Sequence, residues 1–125
     1  MPLTELTKSN FKEVVGVNKI VLISCWAPGC GVCLKFDPVF EKVSKRFPDH
    51  VFARMNVLTE EKLGEYFGIE HTPALMLYRD SLLLLKKPGV FSDETLADMI
   101  GQMESLDMNV VRKDIAAEET AEKES

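Results

Sequence analysis

Apolar and polar positions recur along this chain with two periods, and the switches between them predict its elements. Phe11, Val14 and Val15 give one apolar face between residues 7 and 15, with Thr7 placed to cap a short helix and Gly16 to end it. Residues 20–25 are nearly all apolar and rich in Ile and Val, as in a central strand buried on both faces. Cys33, Phe36, Phe40, Val43 and Phe47 then recur at spacings of three and four, and Lys35, Asp37, Glu41, Lys42, Lys45 and Arg46 fill the opposite face. That is an amphipathic helix. Pro38 falls inside it and is expected to kink it, because proline lacks the backbone donor and crowds the preceding turn.

A second strand is predicted over 51–57, where Arg54 is an oddity among apolar neighbours. A short helix over 59–67 opens on Glu60 and Glu61 and ends at Gly68. Strands over 74–78 and 82–86, joined through Arg79-Asp80-Ser81, read as an antiparallel hairpin. Pro88-Gly89 marks a turn, and Ser92 caps a last helix with Leu96, Met99, Ile100 and Met103 at helical spacing. After Leu106 the pattern weakens. Residues 113–125 hold four Glu, one Asp and two Lys, with almost nothing to bury. Residues 109–125 are therefore expected to form an acidic, disordered or frayed tail, inert or used to dock a partner, outside a domain spanning 1–108. The order α-β-α-β-α-β-β-α predicts an α/β domain with a mixed sheet of four to five strands and helices on both faces.

Composition narrows the function classes. The 125 residues suit one domain, and 46% hydrophobic and 28% charged residues suit a soluble globular chain. The net charge of −5 gives no support for nucleic-acid binding. The apolar runs 20–23 and 82–85 are too short to span a bilayer, so no membrane role is expected. The segment Met1 to Glu5 lacks the basic and apolar regions of a signal peptide, which points to the cytoplasm. Three cysteines do not make a disulfide framework, and in a reducing compartment a close pair reads as catalytic or metal-binding.

That pair is Cys30 and Cys33, at the junction of the first predicted strand and the amphipathic helix, with Trp26 four residues before it. Cys30 at a helix N-terminus meets free backbone N–H groups and the positive end of the dipole, and both favour a thiolate. The competing reading is a zinc half-site. Only Cys25, His50 and His71 are available to complete it, and none has ligand spacing, so no metal is expected. Cys25 reads as a small buried hydrophobe or a regulatory thiol. His71 is either an exposed loop residue or a neighbour of the dithiol.

The element order, with Trp26, Ala27, Cys30, Gly31, Cys33, Pro38, Thr72-Pro73 and Gly89, resembles the thioredoxin family over residues 6–106. The resemblance implies a thioredoxin fold and a protein-disulfide reductase. Cys30 would be the exposed nucleophile and Cys33 the buried resolving cysteine. Pro73 would be a cis proline facing the dithiol, and Thr72 would offer its backbone to a bound substrate strand. Trp26, Gly29 and Gly31 would complete the substrate-binding rim. Protein disulfides would be the substrates and a thioredoxin reductase the electron donor, with no bound cofactor and a monomeric chain. A binding or chaperone module with a regulatory or vestigial dithiol is the alternative.

Three positions depart from the family pattern. Gly29 stands where an aromatic residue is usual, and Val32 where proline is usual inside the motif. Valine restores an N–H near the sulfurs, which favours the reduced dithiol and predicts a less reducing couple. Ser24 stands where the family usually has a buried Asp under the dithiol, with Arg54 in place of an accompanying Lys. Serine is no general base near neutral pH, so water or another group takes the proton, or turnover slows.

Overall fold

The computed structural model describes residues 3–124; Met1 and Pro2 of the N-terminal segment and Ser125 lie outside the described residues. Its centre is the predicted apolar strand, which runs Ile20–Trp26 and buries every residue except the last. In chain order the elements are β1 (Thr4–Glu5), α1 (Phe11–Val17), β2 (Ile20–Trp26), α2 (Gly31–Arg46) and β3 (Val51–Asn56). They continue as α3 (Glu61–Tyr66), β4 (Ala74–Arg79), β5 (Leu82–Pro88), α4 (Asp93–Ser105) and α5 (Met108–Glu124). The five strands form one sheet in the order β1-β3-β2-β4-β5. The pairs β1–β3 and β2–β3 are parallel, and β2–β4 and β4–β5 are antiparallel. This is the mixed sheet expected from the order of elements.

The two faces of β2 build two cores, because successive side chains of a strand point to opposite sides. Ile20 and Leu22 pack with Phe36, Phe40 and Val43 of α2 and with Leu96, Ile100 and Met103 of α4. Val21, Ile23 and Cys25 pack with Val15, Phe67 and Tyr78, and Phe11 of α1 and Leu63 of α3 lie against them. Phe40 is fully buried, with its ring 5.3 Å from Phe52 and 5.8 Å from Phe36. Burying one such side chain stabilises by about 1.5–3 kcal/mol, and the sheet is held between helices on both faces in this way.

Several boundaries differ from the pattern-based reading. The hydrophobic pattern does not show β1: two residues are too short for an alternation, and the strand's place comes from pairing Thr4 with Ala53 and Glu5 with Arg54. The first helix begins after Asn10, not Thr7, and runs through Gly16. Asn10 is spent on the preceding turn, accepting from the Thr7 N–H at 2.7 Å and donating to the Glu5 carbonyl at 2.8 Å. Helix α2 runs through Pro38 without interruption. The hairpin turn is made by Asp80 and Ser81, both at positive φ (50° and 68°), as a two-residue hairpin turn that follows the strand twist requires.

The acidic stretch after Leu106 is placed in the helix α5. Asp107 caps it, its carboxylate accepting from the Asn109 N–H at 3.0 Å and the Val110 N–H at 3.4 Å. Met108 is buried and Arg112 reaches Asp80 at 3.3 Å, so the first turn is anchored. Low apolar content argues against a core, but Ala, Glu and Lys are strong helix formers once a turn is nucleated. Among the described residues, no helix is long and apolar enough to cross a membrane.

Candidate functional site

The site lies where β2 ends and α2 begins. The chain leaves Trp26, turns through Pro28 and Gly29, and closes the turn with the Cys30 N–H donating to the Ala27 carbonyl at 3.3 Å. Gly29 has φ +83°, a left-handed conformation that a side chain opposes, so the turn itself accounts for glycine here. Cys30 then occupies the N-cap of α2, with extended backbone, and its sulfur accepts the Cys33 N–H at 3.1 Å. Sulfur takes the role that a Ser or Asp oxygen usually plays at this position. A donor aimed at the Cys30 sulfur stabilises negative charge there.

Cys30 and Cys33 are joined as a disulfide with their Cα atoms 5.3 Å apart. Their surroundings differ. Cys30 is half-buried on the turn, whereas Cys33 is only 2% exposed, inside the first turn of α2. Across from them the Thr72–Pro73 peptide is cis. The Cys30 sulfur lies 3.6 Å from the Thr72 carbonyl oxygen, and the Pro73 carbonyl accepts the Gly89 N–H at 2.8 Å. Two segments distant in sequence, 26–33 and 72–73, therefore meet at the Cys30 sulfur, and Gly89 is tied to the second of them. Gly31 is exposed as the first residue of α2, and Val32 (51%) and Leu34 (70%) present apolar surface beside it.

Beneath the dithiol, Ser24 and Trp26 face α2, as Ile20 and Leu22 do. Arg54, the Cα partner of Ser24 on β3, places its guanidinium carbon 4.5 Å from the Trp26 ring centroid. Its Nη2 donates to Asp37 Oδ2 at 2.8 Å. The odd charge of β3 is thus matched by a carboxylate from α2 and an aromatic face from β2. The helical pattern alone puts Asp37 on a solvated face; the signal for its role is Arg54 itself, since a charge inside an apolar strand calls for a partner.

Two further residues fall outside the site. Cys25 points to the opposite face of the sheet and is fully buried, and burial pushes its thiol up to about 12, so it is inert at neutral pH. His71 is exposed in the loop before Thr72.

A family model described as Thioredoxin matches residues 2–102. This chain belongs to the thioredoxin family. A relative from Streptomyces coelicolor, named "Putative thioredoxin 2", is 41% identical over 115 residues, covering 92% of this chain and 86% of that one. Human protein disulfide-isomerase A4 is 38% identical over 78 residues, which are 59% of this chain and 12% of that one. Among solved structures, a mutant thioredoxin from Halobacterium salinarum NRC-1 superposes with a TM-score of 0.78 at 24% identity, covering 84% of this chain and 93% of that one. The five-stranded mixed sheet with helices on both faces is the thioredoxin fold. Family and dithiol together give a thioredoxin-like redox function, an oxidoreductase in the general sense.

Proposed function

We propose that the chain is a protein-disulfide reductase that works through Cys30 and Cys33. Cys30 attacks a substrate disulfide as the thiolate, giving a mixed disulfide and releasing one substrate sulfur. The Cys33 thiolate then attacks the Cys30 sulfur, closes the intramolecular disulfide and releases the second substrate sulfur. Thr72 and Pro73, with Trp26, Gly29 and Gly31, bind the substrate chain around the attacked sulfur, the Thr72 backbone pairing with it as in an added strand. A thioredoxin reductase returns two electrons, and the cytoplasm, where such a donor keeps thiols reduced, is the expected setting.

The observation that carries the reading is the inequality of the two sulfurs. The one at the helix N-cap is half-buried, receives a backbone N–H and sits beside the Thr72 carbonyl; the other is buried behind it. An accessible sulfur with a favoured thiolate attacks first, and a buried one within bonding distance resolves. Insulin reduction by dithiothreitol tests the proposal. The folded chain is expected to accelerate it over dithiothreitol alone, Cys30→Ser to abolish the acceleration, and Cys33→Ser to accumulate mixed disulfides with lysate proteins. No acceleration by a folded sample would replace the proposal with a binding module whose dithiol is regulatory.

A further inference from the structure

We infer that Asp37 is a positioning residue for proton transfer, taking the proton of Cys33 through a water held over Ser24 when Cys33 resolves the mixed disulfide. The inference rests on the resolving role of Cys33 proposed above. Cys33 is 2% exposed, so its proton needs an acceptor inside the protein before the sulfur can attack. Asp37 follows it by four residues on α2, one turn further along the same face. Of its two carboxylate oxygens, Oδ2 is held by Arg54 at 2.8 Å. The other, Oδ1, is buried and has no hydrogen-bond partner among the described residues.

Oδ1 is one of a group. Ser24 Oγ, Trp26 Nε1 and Arg54 Nε are also buried without partners among the described residues. All four belong to side chains tied to one another by pairing or contact: Ser24 with Arg54 across the β2–β3 ladder, Arg54 with Trp26, and Arg54 with Asp37. The set combines an acceptor, a hydroxyl that both donates and accepts, and two N–H donors, which suits one ordered water with two to four polar contacts. Arg54 fixes the carboxylate with one oxygen engaged and leaves the other to accept a proton.

The step balances without an added reactant. The Cys33 proton passes by the water to Asp37 Oδ1. The Cys33 electron pair forms the bond to the Cys30 sulfur, the bond from Cys30 to the substrate sulfur breaks, and that sulfur leaves with the electron pair. The dithiol is oxidised, the substrate disulfide is reduced, and Asp37 later returns its proton to solvent. Other titratable or charged groups around Asp37 are Arg54 from β3, Glu5 (the exposed Cα partner of Arg54 on β1), and Glu41 on α2. Lys42 and Asp93 of α4 engage each other at 3.4 Å further along α2.

The test uses a small aromatic disulfide, 5,5′-dithiobis(2-nitrobenzoate), mixed with the reduced full chain in stopped flow. The first coloured thiolate reports attack by Cys30 and the second reports closure by Cys33. In the wild type, the second phase is expected to be nearly independent of pH between the carboxylate and thiol ranges. In Asp37→Asn it should slow by at least about tenfold near pH 7, within the reach of a general base, and recover as pH rises. The first phase should stay within about twofold, and Asp37→Glu should restore the wild-type profile. A wild-type second phase that climbs tenfold per pH unit from about pH 6 overturns the inference, whether or not Asp37→Asn folds. So does an Asp37→Asn second phase that is unchanged, or slowed equally at every pH. Insulin reduction is read separately: its failure with a normal second phase defeats the reductase proposal and leaves the proton path standing.

Discussion

At the scale of single residues, the cap of α2 decides how the dithiol behaves. The first N–H groups of a helix have no intrahelical acceptor, and here the N-cap acceptor is the sulfur of Cys30, which takes the Cys33 N–H at 3.1 Å. Val32 lies between them at the second helical position, and its N–H adds a donor at the same pole. Donors at this pole favour the thiolate and hence the reduced form. Val32→Pro removes one, and proline is tolerated in a first helical turn. The couple is then expected to become more reducing by about 30 mV, the equivalent of ~1.4 kcal/mol for two electrons. Equilibration with a glutathione buffer measures it, and a potential unchanged or raised would show that the Val32 N–H does not act on the sulfur. The residues that carry the dithiol chemistry are readable from sequence because they combine a rare spacing with a forced location at a strand–helix junction. Asp37 is not, because a carboxylate on the polar face of a helix looks the same whether it meets water or Arg54.

At the scale of elements, helix ends separate what local pattern specifies from what pairing specifies. Ser92 does what its sequence position implies: it is the N-cap of α4, and its hydroxyl accepts the Thr95 N–H at 3.1 Å. Ser92→Ala leaves that donor without its side-chain acceptor and is expected to cost about 1 kcal/mol of stability. A urea titration of wild type and variant would show it as a lower midpoint at an unchanged slope, and an unchanged midpoint would show that water replaces the cap without loss. Helix α1 has no such side-chain cap bond, and there the predicted start misses by several residues. Strand β1 and helix α5 escape the pattern for opposite reasons. A two-residue strand has no periodicity to read, and its existence depends on β3 lying beside it. Helix α5 carries little apolar signal, and its start depends on the Asp107 cap, the buried Met108 and the contact of Arg112 with Asp80 from the hairpin turn. Helices and strands with a long apolar stripe are fixed by their own residues; these two are fixed by their neighbours.

At the scale of the whole molecule, the central sheet divides two chemistries between adjacent residues of one strand. Ser24 faces α2 and the polar group beneath the dithiol, and Cys25 faces the closed apolar core with Tyr78. That core leaves a mark on stability at alkaline pH. Burial raises the Cys25 thiol from its ordinary 9.0 to about 12. Tyr78 rises from 10.0 to about 12, chiefly by burial and further by the nearby Tyr66 and Cys25. In both groups the folded state holds the proton more tightly than the unfolded state, so the stabilisation is whole below the unfolded value and is lost as pH rises toward the folded one. Each group in its window costs at most about 1.4 kcal/mol per pH unit. With Cys30 and Cys33 kept as the disulfide, Cys25 is the thiol left to titrate. The urea midpoint of the oxidised wild type should therefore begin to fall near pH 9. Cys25→Ala opens a small cavity and lowers the midpoint at neutral pH, but it removes the thiol from the balance. Its decline should begin later, near pH 10, with Tyr78 as the buried group then responsible. The two proteins differ only at this side chain, so the difference between the two curves reports Cys25 together with its effect on Tyr78. Parallel curves from about pH 8 to about pH 11 would mean that the thiolate is accommodated in this core without opening it, contrary to its burial.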